Sequence, residues 1–181
     1  MPDTRQRPPG GAFFADRDAA AQAVRMVLPM IELAMARAEV GESGFLYIVV
    51  MDPTASPWRV SFDQAVLYEH AVGDRERWDA DYAAFARGKA EISWRTGLDG
   101  HSVRHIRPHL LRDGDAGVWG SVCVEGIVVG VSGANPWYDE AFAGAIAHCF
   151  KAVAKARALA CPEAPRLAAG DVPPADTQEY P

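Results

Sequence analysis

The stretch that most restricts the fold is 118–158, VWGSVCVEGIVVGVSGANPWYDEAFAGAIAHCFKAVAKARA. Val118, Gly120, Val122 and Val124 alternate with other residues, as on a half-buried strand, whereas 127–131 is a continuous apolar run suited to a strand covered on both faces. Glu125-Gly126 between them is a tight-turn signal. Ser132 to Pro136 ends the second strand and opens a long helix, with Asn135 as N-cap and Pro136 at the first helical position. Asp139 and Glu140 lie near the positive end of that helix, and Lys151, Lys155 and Arg157 crowd its negative end. Hairpin followed by helix is therefore the firmest unit of the chain.

Upstream, Val24, Val27, Leu28, Ile31, Met35 and Ala38 repeat at helical spacing, so a helix is expected from Asp18 to Glu39, kinked or divided by Pro29. Residues 45–51 read as a buried strand ended by Asp52-Pro53, and 58–72 as one or two shorter strands around Val66–Tyr68. A second helix is expected from about Asp74 to Thr96, ending at Gly97, and a short helical or irregular segment from His101 to Leu111, limited by Pro108. Strands joined by hairpins with interspersed helices predict an α+β fold with a mainly antiparallel sheet. A doubly wound nucleotide fold is disfavoured, because strand–helix alternation fails at the hairpin.

With 181 residues the chain fits one domain, read here as 16–160, with a flexible arm at 1–15 and a disordered Pro-rich tail at 161–181. A domain of this size buries on the order of 70% of its unfolded surface and needs neither disulfide nor metal to fold. The net charge of −6 leaves no basic excess for sequence-independent nucleic-acid binding. No apolar run approaches a membrane span and no signal peptide is visible, so a cytoplasmic location is expected. Cys123, Cys149 and Cys161 lack metal-ligand spacing, so inert thiols in a reducing compartment are expected, and no metal.

Lys89 is the most unexpected polar residue. Trp78, Tyr82, Phe85, Lys89, Ile92 and Thr96 recur every three or four residues, which puts an ammonium within an apolar stripe. It must snorkel, pair with a carboxylate or face a ligand cavity that takes an anion. The segment 101–109 gathers His101, His105 and His109 with Arg104 and Arg107. In a helix His101 and His105 share a face, where an imidazole can ligate a metal or heme iron and the guanidiniums can hold carboxylates. A surface segment without function is the competing reading. Ser132 and Gly133 precede a helix N-terminus, which favours anions, although the glycines serve equally for close packing. His70 and His148 read as structural histidines. No Walker, dinucleotide or nucleophile-elbow motif occurs.

Three of these segments carry a resemblance. The run GIVVGVSG (126–133) with Asp139-Glu140 after it, YAAFARGKA (82–90) with its Lys89-Ala90 pair, and IVVMD (48–52) are similar to the GlcG/HbpS-type heme-binding, or haem-degrading domain, family. That family is related to the PduO C-terminal domain of some corrinoid adenosyltransferases. Spanning roughly 20–158, the resemblance implies a profilin-like α/β sandwich, a homo-oligomer and heme as the candidate cofactor. The chain departs from the family pattern in having no histidine in 1–69 and Asp52–Pro57 in place of a glycine-rich turn.

The expected function is thus a cytoplasmic binder of heme, another tetrapyrrole or a small anionic ligand, held by Lys89, His101, Arg104, His105, Ser132 and Gly133. The alternatives are a heme-independent isomerase, lyase or cyclase with His105 as general acid–base, and a non-catalytic partner subunit.

Overall fold

The structure, a computed structural model, describes residues 12–161. The expected arm, but for residues 12–15, and the Pro-rich tail beyond Cys161 lie outside the described residues. Four antiparallel strands form one sheet in the order β2-β1-β4-β3: β1 Leu46–Met51, β2 Val66–Val72, β3 Ser121–Val124 and β4 Ile127–Ser132. The fold is α+β, as the hairpin-rich element order predicts.

Strand β1 lies in the middle with all six residues buried, because its successive side chains point to opposite covered faces. Leu46, Ile48 and Val50 meet helices α1 (Arg17–Met35) and α5 (Pro136–Ala160) on one face. Tyr47, Val49 and Met51 meet helix α3 (Tyr82–Thr96) on the other. The β3–β4 hairpin pairs Val124 with Ile127 across Glu125 (φ 50°) and Gly126 (φ 85°). Two consecutive left-handed residues make the turn whose twist suits a two-residue hairpin.

Several boundaries differ from expectation. Helix α1 ends at Met35 and runs undivided through Pro29, which sits on the exposed side, where water can take the carbonyl whose N–H partner the imino acid lacks. Residues 62–65 form a one-turn helix, α2, with a Ser61–Gln64 capping box, so β2 begins only at Val66. The second helix starts at Tyr82 rather than near Asp74, because Asp81 caps it by accepting from Ala84 N at 2.9 Å. Residues 75–77 make a separate 3-10 turn in which Arg75 lies over the Tyr47 and Trp78 rings. Helix α3 also turns a different face to the sheet. Phe85 is exposed, and Tyr82, Ala86, Lys89, Ala90, Ile92 and Ser93 are buried.

The small residues on that face answer to Gly130 of β4. A Cβ at Gly130 would stand 2.6 Å from Ala86 O and 2.7 Å from Ala90 Cβ, so helix and strand touch backbone to backbone. Gly130→Ala is expected to lower stability by about 1–3 kcal/mol through overpacking. Gly144, mid-helix in α5 with nothing within 4 Å of its would-be Cβ, makes the matched control. Gly144→Ala is expected to raise stability by about 0.5–1 kcal/mol, both variants being read by urea denaturation.

Candidate functional site

Lys89 is 2% exposed and Asp139 0%, and the two form a buried ion pair with Nζ 2.7 Å from Oδ2. The ammonium donates further to Val131 O at 3.1 Å and Ser132 Oγ at 3.2 Å. Asp139 Oδ1 accepts from Ala134 N at 2.9 Å. One pair thus joins α3, the end of β4, the 132–134 loop and the first turns of α5. Gly120 packs directly above it: a Cβ there would lie 2.6 Å from Asp139 Cβ and 3.0 Å from Lys89 Nζ. Burial drives both groups toward neutrality. It pushes Asp139 up to about 6, against the opposing pull of Lys89 and the loop N–H groups. It pushes Lys89 down from the ordinary lysine value, against the pull of Asp139.

Helix α4 (Gly100–His105) stands beside this pair on the edge strand. Asp99, at its N-cap position, makes no cap bond, and its Oδ1 instead accepts from Cys123 N of β3 at 2.8 Å. Gly100 sits so close to β3 that a Cβ would come 2.7 Å from Ser121 Oγ, and Val103 is fully buried. The opposite side of the helix carries His101 and His105, both exposed, with ring centroids 4.8 Å apart. Trp119 lies 5.5 Å from the His101 ring and 4.9 Å, edge-on, from the His105 ring. Glu140 joins the group from α5. Partial burial raises its carboxyl, while the neighbouring His101 and the Trp119 indole N–H pull it back.

Trp119 is next in sequence to Gly120, and Glu140 to Asp139, so the imidazole–indole group and the buried pair are two levels of one column. Ile106 (68% exposed) and Val118 (43%) add apolar surface beside His105 and Trp119. Arg104 and Arg107 take part in no ion pair among the described residues. His109 is exposed in a 3-10 turn. His70 is within β2, its Nδ1 3.4 Å from Tyr68 Oη, and His148 is exposed on α5.

The residues singled out in the sequence are therefore divided. His101, Arg104 and His105 share α4. Lys89 and Ser132 belong to the buried network and not to an open anion pocket. Gly133 lines a different depression, a cavity of about 530 Å³ also walled by Glu42, Ser43, Asp79, Tyr82 and Ala134. The positive φ of Gly133 (142°) lets it approach the Phe45–Leu46 backbone, which favours the packing reading of that glycine. Reasoning from sequence missed Trp119, and it read Asp139 and Glu140 as helix-end charges and as part of the family-like motif rather than as members of a site. Asp139 falls in register with Phe142, Ile146, Phe150 and Val153, so its place on a buried stripe was a usable signal. Among the described residues no three His, Cys, Asp or Glu side chains are placed to hold a metal ion, and no helix is long and apolar enough to cross a membrane.

No family model matches the sequence, and no curated protein matches it. Among solved structures, Klebsiella pneumoniae protein ORFY, of the DUF336 family, is similar at 17% identity and a TM-score of 0.47, over 84% of this chain and 97% of that one. A likeness at this level carries no function across.

Removing one partner of the buried pair strands the other, so Asp139→Asn and Lys89→Met are each expected to lower stability by about 3–5 kcal/mol. Lys89→Met with Asp139→Asn together should cost clearly less than the sum, in a double-mutant cycle read by urea denaturation. The sign of the pH dependence follows from Asp139. Native Asp139 keeps its proton up to about pH 6, whereas the unfolded chain releases it near pH 4. In that window the native state binds more protons, so this group's contribution to stability falls as pH rises from about 4 to about 6. Asp139→Asn should lack that fall, and the stability difference between wild type and variant should shrink across the window.

Proposed function

We propose that the protein binds a planar anionic ligand of the iron-tetrapyrrole kind on the face made by His101, His105 and Trp119, without catalysing its conversion. The observation that carries this reading is the pair of exposed imidazoles one helical turn apart, 4.8 Å between centroids, with an indole edge-on at 4.9 Å. One imidazole nitrogen suffices as an axial ligand to heme iron, so a cluster of three metal ligands is not required. The second imidazole and the indole offer aromatic surface to the macrocycle, and Ile106 and Val118 extend it with exposed apolar area. Arg104 and Arg107, which form no ion pair among the described residues, suit the ligand's carboxylates through bidentate hydrogen bonds.

The likeness of 126–133 and of Lys89-Ala90 to the GlcG/HbpS-type family supports the same ligand class, with the iron-ligating histidine moved to α4, since 1–69 contains none. Three free cysteines, two of them half-buried, favour a reducing cytoplasm. In this reading Lys89 and Asp139 never touch the ligand. They hold Gly120, and through it Trp119, in place.

Hemin titration of the purified chain is expected to produce a Soret band that saturates at one heme per chain. His101→Ala with His105→Ala should abolish the ligated spectrum. Arg104→Ala should weaken binding about tenfold, the loss of one charge-assisted hydrogen bond of ~1.5 kcal/mol. An unchanged hemin spectrum, or the same spectrum in the double histidine variant, would remove the proposal.

A further inference from the structure

Helix α1 buries one apolar side and exposes a second apolar stripe. Its inner side places Ala19, Ala23, Val24, Val27 and Ile31 in the core, all between 0 and 4% exposed. Its outer side carries Met26 (55% exposed), Met30 (47%) and Leu33 (75%), which stand at i, i+4 and i+7 and so form one stripe. Pro29 and Ala36 extend it, both exposed. An exposed apolar stripe of this kind marks a contact surface. Along the seam between α1 and α5 the stripe is bordered by two shallow grooves. One, of about 310 Å³, lies against Met30, Leu33 and Tyr138, and the other, of about 280 Å³, against Met26, Ala152 and Ala156.

Charge selects the occupant. Arg25 and Glu32, seven residues apart, lie on one edge of the stripe, are exposed, and form no ion pair among the described residues. In an antiparallel pairing of two identical helices, the same edge of each helix faces its counterpart. Centred near Leu28–Pro29, such a pairing sets Arg25 of each copy against Glu32 of the other, and it lays the Met26–Met30–Leu33 stripes over one another within two residues of coincidence. A surface whose charges match after a two-fold rotation is what an isologous dimer requires. We infer that the outer face of α1 is a two-fold dimer interface, with the unbranched methionines entering the grooves beside α5 of the partner copy.

This interface is on the sheet face opposite α3 and is independent of the heme-type site, so either can fail alone. The test is sedimentation equilibrium of the full chain. Wild type is expected to dimerise, and Met30→Glu with Leu33→Glu to be monomeric with its circular dichroism spectrum kept, since both side chains are exposed. Arg25→Glu, which turns two attractions into two repulsions, should weaken the dimer about tenfold or more. Arg25→Glu with Glu32→Arg should restore it. The inference is overturned by a monomeric wild type, by a dimer that survives the Met30/Leu33 substitutions, or by a charge swap that fails to rescue Arg25→Glu.

Discussion

The ion pair between Lys89 and Asp139 is where three parts of the molecule are made to agree. The lysine comes from the helix covering one face of the sheet, the aspartate from the helix covering the other, and the two meet past the end of β4. Neither charge reaches water, so each must be satisfied within the protein. The ammonium uses its three N–H bonds on Asp139, Val131 and Ser132, and the carboxylate takes the Ala134 N–H as well. A contact of this type is costly to desolvate and adds little net stability, but it penalises any arrangement in which one partner is missing. That penalty fixes how α3, β4 and α5 sit with respect to one another.

Close approach follows from it. For a lysine on one helix to reach an aspartate on another, the intervening chain must be thin, and glycine stands at each crossing. Gly120 passes over the pair itself and Gly130 admits α3 to the sheet. Gly133 touches the start of β1, where a Cβ would come 2.0 Å from Phe45 O. The glycine-bounded run 126–133 is thus a packing device first, and any anion affinity of the loop is already taken up by Asp139.

Much of this was legible in the amino acids, and the rest for definable reasons was not. The hairpin and α5 were plain because turn chemistry, alternation and helix-end charges all agree there. Lys89 stood out because a cation interrupts an apolar period. Its partner stood out less, since Asp139 also makes sense as a charge near a helix N-terminus, and only the α5 stripe reveals the second role. The start of α3 differs from expectation because Trp78 continues the helical period upstream of Tyr82, whereas Arg75 stacking on Tyr47 and Trp78 is a tertiary contact that no local rule contains. Trp119 escaped for a similar reason. It meets His101 and His105 across the 106–118 connection, and side chains brought together by a loop leave no spacing to read.

Asp99 forgoes the bond a helix-capping carboxylate normally makes and spends its acceptor on Cys123 N, a donor on the sheet's outermost strand. Helix α4 is for that reason tethered to a strand paired on one side only, the part of a sheet that opens first in thermal fluctuations. Breaking the Asp99–Cys123 bond would release the start of α4, the helix that carries His101 and His105. Solvent exchange at the Cys123 amide and the orientation of the histidine pair should accordingly share a single clock.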